Sequence, residues 1–334
     1  MEKKNYTIGI DVSRNTLDVH CSEINQHIQI SNDQSGFKEF IKWSGKQGID
    51  LSESIVILEY TGGYEYSFIL FCETRKILYT RIPGLAIKRS MGITRGKSDR
   101  VDAARIAQYG EEKFKSICPA KPLNKTTLRM KELLSFRKRI VRHMAGLKST
   151  LSERKKMYPN LKNDIICKTI QNQIDLDIQS IDELEKEIET IVESNQAIQT
   201  NYQLITTIRG IGKINAWMTI AYTENFDSFP NARNYAVYVG VIPFEHTSGT
   251  SIKGRKKISN IANKELKQEL NQAARSAIVW DPELSQYAAR KMQDKSYNLV
   301  LNNVKFKLIL RMFSVVKRQT KFVDNYKKVA WIEN

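Results

Sequence analysis

Four carboxylates in the first third of the chain stand where a folded protein seldom leaves them. Asp11 follows Tyr6, Ile8 and Ile10, alternate members of a strand pattern, where an apolar or neutral residue would continue it. Glu59 closes the apolar run Ile55-Val56-Ile57-Leu58 in the same way. Asp99 and Asp102 lie three apart in Ser98-Asp99-Arg100-Val101-Asp102-Ala103, so on a helix both project from one face. A carboxylate at a buried strand end is costly unless it is paired or bound to a cation. The strand ends of α/β sheets are also where ligands sit. Capping of a helix N-terminus explains one of the two aspartates readily and both less well. Gathered near one point, four carboxylates repel one another. With Mg²⁺ or Mn²⁺ between them they form the oxygen-rich site that suits phosphoryl transfer.

A second constellation lies further on. Ser248, in His246-Thr247-Ser248-Gly249-Thr250-Ser251, is followed by Lys253-Gly254-Arg255-Lys256-Lys257. A hydroxyl nucleophile acting on a phosphate needs activation and cationic neutralisation, and Arg255, Lys256 and Lys257 offer the second. By residue type alone, Ser-Gly in a polar loop is ordinary turn material. The 14 tyrosines, among them Tyr60, Tyr64 and Tyr66 beside Glu59, read as packing or base-stacking residues. No Arg-His-Arg arrangement surrounds any of them.

Periodicity predicts the elements that must position these groups. Tyr6, Ile8 and Ile10, then Leu17, Val19 and Cys21, then Ile28 and Ile30 predict three strands of an antiparallel meander. Residues 36–48, with Phe37, Phe40, Ile41 and Trp43, predict a helix. The run from Ser54 to Leu58 predicts a strand buried on both faces. Residues 64–75 read as a helix and 78–82 as a strand, which completes an α/β pattern. From Thr126 a three-four spacing sets in at Leu134, Ile140, Met144, Leu147 and Leu151. It returns after Pro159 at Ile174, Ile178, Ile181, Leu184, Ile188 and Ile191. Two long helices in an antiparallel coiled-coil hairpin are expected. Further on, Ile205-Thr206-Thr207-Ile208-Arg209-Gly210-Ile211-Gly212 precedes a helix at 214–222 and resembles a helix-hairpin-helix turn. The backbone N–H groups of Gly210 and Gly212 would then hold a phosphate, although a plain helix cap explains the glycines almost as well.

Charge narrows the partners. Among 334 residues, 53 Lys and Arg stand against 36 Asp and Glu, a formal charge of +17. With 41% hydrophobic residues the chain has material for cores, which excludes disorder as its main state. A folded protein this basic meets a polyanion: DNA, RNA or an anionic membrane surface. No run reaches the ~18 apolar residues of a spanning helix, and no signal peptide is visible. Cys21, Cys72, Cys118 and Cys167 show no zinc or disulfide spacing. A reduced, cytoplasmic protein that binds nucleic acid is expected. Residues 125–156 hold 11 Lys or Arg against Glu132 and Glu153, about half the net charge. A solvated helix face is the ordinary reading of such a run; its concentration here points to phosphate contacts by Arg137, Lys138, Arg139 and Arg142.

Asp11 in Gly9-Ile10-Asp11-Val12-Ser13, Glu59 in Leu58-Glu59-Tyr60-Thr61-Gly62, and Ser98-Asp99-Arg100-Val101-Asp102-Ala103 together resemble the Asp-Glu-Asp-Asp motif of the DEDD-type transposases of insertion-sequence family one-ten, which includes the Piv-type invertases. The likeness continues through Gly240-Val241-Ile242-Pro243, Ser248-Gly249 and Lys257-Ile258-Ser259, similar in order and spacing to the family's second domain. It covers essentially the whole chain. Ala262, where the family usually carries Gly, and Lys267, where it usually carries Arg, depart from it.

The resemblance implies a RuvC-like domain of RNase H fold over 1–124, a coiled-coil linker over 125–198, and a mainly helical transposase domain over 199–334. Asp11, Glu59, Asp99 and Asp102 would hold Mg²⁺ or Mn²⁺. Ser248 would be the catalytic nucleophile, with Ser251 as the fallback. The implied activity is that of a DNA transposase or site-specific recombinase, cutting and rejoining donor and target DNA under the guidance of a non-coding RNA. A homodimer pairing into a tetramer in the synaptic complex, in the bacterial cytoplasm and on the nucleoid while acting, completes the expectation. One rival is a RuvC-like, metal-dependent, structure-specific endonuclease that forms no covalent intermediate. Another is a non-catalytic nucleic-acid-binding scaffold that needs no carboxylates.

Overall fold

A computed structural model describes residues 6–90, 98–159, 164–248 and 252–324, with the backbone alone over 245–248 and 252–257. The chain divides into two compact units, Met1–Leu123 and Asn124–Asn334.

The first unit contains β1 (Tyr6–Val12), β2 (Thr16–Cys21), β3 (Gln26–Ser31), α1 (Gln34–Lys46), β4 (Ser54–Glu59), α2 (Tyr66–Arg75), β5 (Leu78–Ile82), α3 (Gly84–Ser90) and α4 (Asp99–Glu112). The sheet order is β3-β2-β1-β4-β5. β1, β2 and β3 form the expected antiparallel meander, and β4 and β5 run parallel to β1. The helix expected from Gly36 starts earlier, at Gln34, because Asp33 caps it: its Oδ1 accepts from the N–H of Ser35 at 2.8 Å and of Gly36 at 3.0 Å. α2 starts at Tyr66 and not at Tyr64, since Gly62 and Gly63 turn the chain with positive φ just before it.

The second unit contains α5 (Lys125–Met157), α6 (Ile165–Ser194), α7 (Gln196–Thr206), α8 (Lys213–Thr223), α9 (Ala232–Val239), β6 (Pro243–Ser248), β7 (Ile252–Ile258), α10 (Lys264–Trp280), α11 (Pro282–Met292) and α12 (Tyr297–Arg318). Cross-pairs between α5 and α6 show that the two helices run antiparallel. Arg129 meets Glu187, Arg137 meets Glu185, His143 meets Asp177 and Arg154 meets Asp164. Helices α7–α12 enclose one core around Trp217, Tyr235, Leu270, Val304, Leu308 and Met312. The β6–β7 hairpin interrupts this mainly helical region. Its strands are polar and basic and carry no apolar alternation to announce them.

Strand parity decides where the carboxylates of the first unit point. Ile8, Ile10 and Val12 of β1, and Val56 and Leu58 of β4, pack with Phe37, Phe40 and Phe68 from α1 and α2. Ile55 and Ile57 face the other way, toward Ile87 of α3 and Ile106 of α4. Gly9 and Asp11 of β1 and Glu59 of β4 therefore share the α4 face. Gly9 is where α4 reaches the sheet. A Cβ on it would lie 2.8 Å from Ala107 Cα and closer still to Ala107 N and Ala103 O, so backbone meets backbone there. Gly9→Ala is expected to lower stability by about 2–3 kcal/mol through overpacking. Gly45→Ala, with open space at its Cβ, should be neutral or stabilising. Urea denaturation of both variants checks the contrast; equal midpoints would mean that α4 does not lean on Gly9.

Candidate active site

Register brings the carboxylates together. Asp11 pairs directly with Asp18 of β2. The pairing of Ile10 with Leu58 sets Asp11 level with Glu59 at the C-terminal ends of adjacent parallel strands. The Glu59 carboxylate lies over the start of α3, where a Cβ on Gly84 would come within 2.6 Å of its Cδ. Asp99 and Asp102 occupy the first turn of α4. Neither is the cap. Ser98 is, its Oγ accepting from Val101 N–H at 3.3 Å. Asp102 Oδ1 accepts from Arg105 Nη1 at 2.9 Å.

Burial, then the charges of Asp99, Asp102, Glu59 and Asp18 in that order, push the Asp11 carboxyl up to about 6. Three of the sequence-predicted carboxylates, Asp99, Asp102 and Glu59, thus act on the fourth. Among the described residues, however, no group of three ligating side chains stands close enough to hold a single ion. Asp18 was not anticipated. It is buried, and His27 Nε2 and Gln29 Nε2 lie 2.8 and 3.0 Å from its carboxylate oxygens. Its signal in the sequence was the polar set Asp18, His20, His27 and Gln29 interleaved with the apolar positions of β2 and β3. Burial also lowers the His20 imidazole, helped by His27 and Arg100.

The other predicted residues belong to the second unit. Ser248 ends β6, opposite Ile252 of β7, and its side chain lies outside the described residues, as do those of Arg255, Lys256 and Lys257; Ser251 falls outside them entirely. The basic run of α5 is largely engaged inside the protein. Arg137 Nε is 2.7 Å from Glu185 Oε1, Lys138 Nζ is 3.1 Å from Glu265 Oε1, and Arg142 Nη2 is 3.8 Å from the same oxygen. Arg139 has no carboxylate partner among the described residues and lies 6.0 Å from the Phe136 ring centroid. Glu185 of α6 and Glu265 of α10 thus answer three of these four basic residues of α5. Gly210, at φ +93°, has a packing role as well. A Cβ there would lie 2.7 Å from Ala273 O and from the Ala277 Cβ, so its absence lets the α7–α8 turn press on α10. Gly212 is the exposed N-cap of α8, with no side-chain cap bond.

Comparison with known proteins agrees with both halves. A DEDD-type transposase family model matches residues 8–154, and the model described as the transposase IS116/IS110/IS902 family matches residues 202–289. The chain belongs to the IS110 family of transposases. It is similar to the pilin gene-inverting protein of Moraxella lacunata, with 27% identity over 270 residues that cover 79% of this chain and 80% of that one. The pilin gene-inverting protein of Moraxella bovis matches to the same extent. The transposase is thus an enzyme of DNA recombination, with DNA as its substrate. No described helix is long and apolar enough to cross a membrane.

Two predictions come from this geometry. Because the Asp11 carboxyl is raised from 3.8 to about 6, the folded protein holds that proton more tightly than the unfolded chain does. This group therefore opposes folding fully above pH 6, and the opposition fades progressively as pH falls from 6 toward 3.8. In EDTA, Asp11→Asn should melt higher than wild type at pH 7.5, and the gain should shrink at pH 5.5. A gain equal at both pH values would remove the charge-crowding explanation. In the second unit, Arg137→Ala leaves Glu185 to Lys213 alone and should cost about 1–2 kcal/mol of stability. Arg139→Ala should leave melting unchanged but reduce the slope of log K for DNA against log salt by about 0.9. Thermal melts and a salt titration check the pair, and an unchanged slope for Arg139→Ala returns this face to plain solvation.

Proposed function

We propose that this transposase cuts and rejoins DNA at specific sites, using Mg²⁺ or Mn²⁺ held by Asp11, Glu59, Asp99 and Asp102 and Ser248 as the nucleophile. The crowding of negative charge about Asp11, felt from α4, β4 and β2 at once, carries this reading. An all-oxygen set of carboxylates suits a hard divalent cation, and a protein gains nothing in stability from leaving such charges together. When bound, the cation would supply Lewis-acid polarisation of a phosphate oxygen. Asp11 and Glu59, on rigid strand ends, fix one side of the site. Asp99 and Asp102 close it from α4, where the helix N-terminus favours their negative charge.

The Ser248 oxygen attacks phosphorus and its proton passes to water or a neighbouring base. The leaving oxygen of the DNA strand departs, and the DNA end remains ester-linked to the serine. That linkage conserves the bond energy, so rejoining needs no ATP. Arg255, Lys256 and Lys257, on the strand that pairs with β6, are suited to neutralise the phosphate. Arg137, Lys138, Arg139, Arg142, Gly210 and Gly212 form a further phosphate-contacting set, for which the unpaired Arg139 and the open Gly212 amide offer the best support. A structured RNA guides the choice of DNA sites, in keeping with a charge of +17. Residues 1–124 act as a RuvC-like domain, which the order of three antiparallel and then parallel strands supports. Residues 125–198 act as the linker and 199–334 as the serine-bearing domain, in homodimers that pair into tetramers.

Ser248→Ala is expected to abolish strand cleavage and the protein–DNA adduct together. Asp11→Asn and Glu59→Gln should abolish cleavage while the protein stays folded. Denaturing a reaction and mapping the DNA-linked peptide separates Ser248 from Ser251 and from every tyrosine. Cleavage by Ser248→Ala at the normal rate, with no linked peptide, would make water the nucleophile and the protein a RuvC-like nuclease. Sequencing RNA that co-purifies with the transposase tests the guide.

A further inference from the structure

One buried charge of the first unit has no part in the proposed cation site. Asp18 of β2 is 4% exposed, and register sets it directly opposite Asp11 on the face that α4 covers. Residues so opposed on antiparallel strands have Cβ atoms about 4.5–5.5 Å apart. The neighbouring strand holds Asp18 from its other side. Gln29 of β3 is its cross-strand partner there and brings Nε2 to 3.0 Å from Oδ2. His27, diagonally placed on β3, brings Nε2 to 2.8 Å from Oδ1. Gln29, Asp18 and Asp11 therefore form one polar row across three strands, and Glu59 continues it on β4.

Hydrogen bonding alone does not account for a carboxylate at this position. An asparagine of the same shape would bond His27 through its oxygen and, with the Gln29 amide reversed, Gln29 through its nitrogen. It would also spare Asp11 a like charge directly opposite, which is unfavourable between paired strands. The Asp18 charge does reach Asp11, where it adds to those of Asp99, Asp102 and Glu59. His27 and Gln29 use one position on each Asp18 oxygen, and a carboxylate offers about four, so accepting capacity remains on both. What relieves a row of carboxylates on adjacent strands is a cation beside them.

We propose that Asp18 is a positioning residue of the carboxylate site. Its fixed negative charge strengthens the hold of Asp11 and Glu59 on a divalent cation, without Asp18 being a ligand itself. The inference rests on the reading of Asp11, Glu59, Asp99 and Asp102 as the cation site, and it extends that site to β2 and β3. His27 and Gln29 keep the Asp18 carboxylate from swinging away from β1, so the charge stays opposite Asp11. Outer groups of this kind, bonded to fixed neighbours, change metal affinity by about 10–100-fold when they are lost.

The test reads cation binding directly, in the full chain and without DNA. Mn²⁺ is titrated into wild type, Asp11→Asn and Asp18→Asn, and free Mn²⁺ is followed by electron paramagnetic resonance. Thermal melting in EDTA establishes that each variant is folded. Asp18→Asn should bind Mn²⁺ about tenfold more weakly than wild type, and Asp11→Asn should lose the site. At equal concentration, Mn²⁺ should also raise the melting temperature of Asp18→Asn by less than that of wild type. A structural role alone would shift melting in EDTA and leave the affinity of the folded variant at the wild-type value, which would overturn the proposal. So would a loss as complete as that in Asp11→Asn, since Asp18 would then be a ligand. If Asp18→Asn does not fold, Asp18→Ser, which removes the charge and takes less room, decides in the same way. Binding that Asp11→Asn abolishes and Asp18→Asn leaves intact refutes the role of Asp18 alone. No binding by wild type, or wild-type binding by Asp11→Asn, refutes the cation-site reading on which that role rests.

Discussion

The backbone of α4 rests on the backbone of β1 at Gly9, and the arrangement of the first unit follows from that contact. Any side chain at position 9 would meet Ala103 and Ala107 before the helix could settle. Because the helix sits this low, its first turn delivers Asp99 and Asp102 to the face on which β1 presents Asp11 and β4 presents Glu59. Gly110, at the other end of α4, repeats the device: a Cβ there would lie 2.8 Å from a methyl of Thr7 and closer to the Ile57 side chain. Two glycines on opposite sides of one interface thus trade side-chain volume for proximity. The cost of that proximity is electrostatic and falls on Asp11, whose carboxyl is pushed up to about 6.

Charge in the second unit is arranged on the opposite plan. Basic groups of α5 meet acidic ones along α6, Arg129, Arg137, His143 and Arg154 facing Glu187, Glu185, Asp177 and Asp164 in antiparallel order. Most of these pairs are partly exposed, so each contributes modestly to stability. Their order along the helices selects one register of the hairpin over shifted ones. Lys305 stands apart from this pattern, buried on α12 with no carboxylate partner among the described residues.

The first unit holds a concentration of negative charge about Asp11, which opposes folding in the absence of a ligand and is maintained by the packing at Gly9. An enzyme acting on phosphodiesters can use such a place to accept a cation.

Much of this was legible in the sequence. Alternation in Tyr6-Ile8-Ile10 and Leu17-Val19-Cys21, and the three-four spacing after Thr126, determined β1, β2 and the long hairpin, because periodicity is a local property of the chain. Asp11 and Glu59 declared themselves by interrupting apolar runs. Asp18 did not, although it pairs with Asp11, because a single polar residue in a half-polar strand becomes informative only when the register is known. The basic run at 125–156 reads in isolation as a surface for phosphates, and only the fold reveals that Arg137, Lys138 and Arg142 already face carboxylates. Gly210 reads as a phosphate cradle or a helix cap, and only the fold adds its close approach to α10. By residue type Lys305 is one lysine among many. Its burial depends on α10 and on the turn at Val241, remote in sequence, and the free energy of a charge depends on what surrounds it in space, which residue type and spacing alone do not encode.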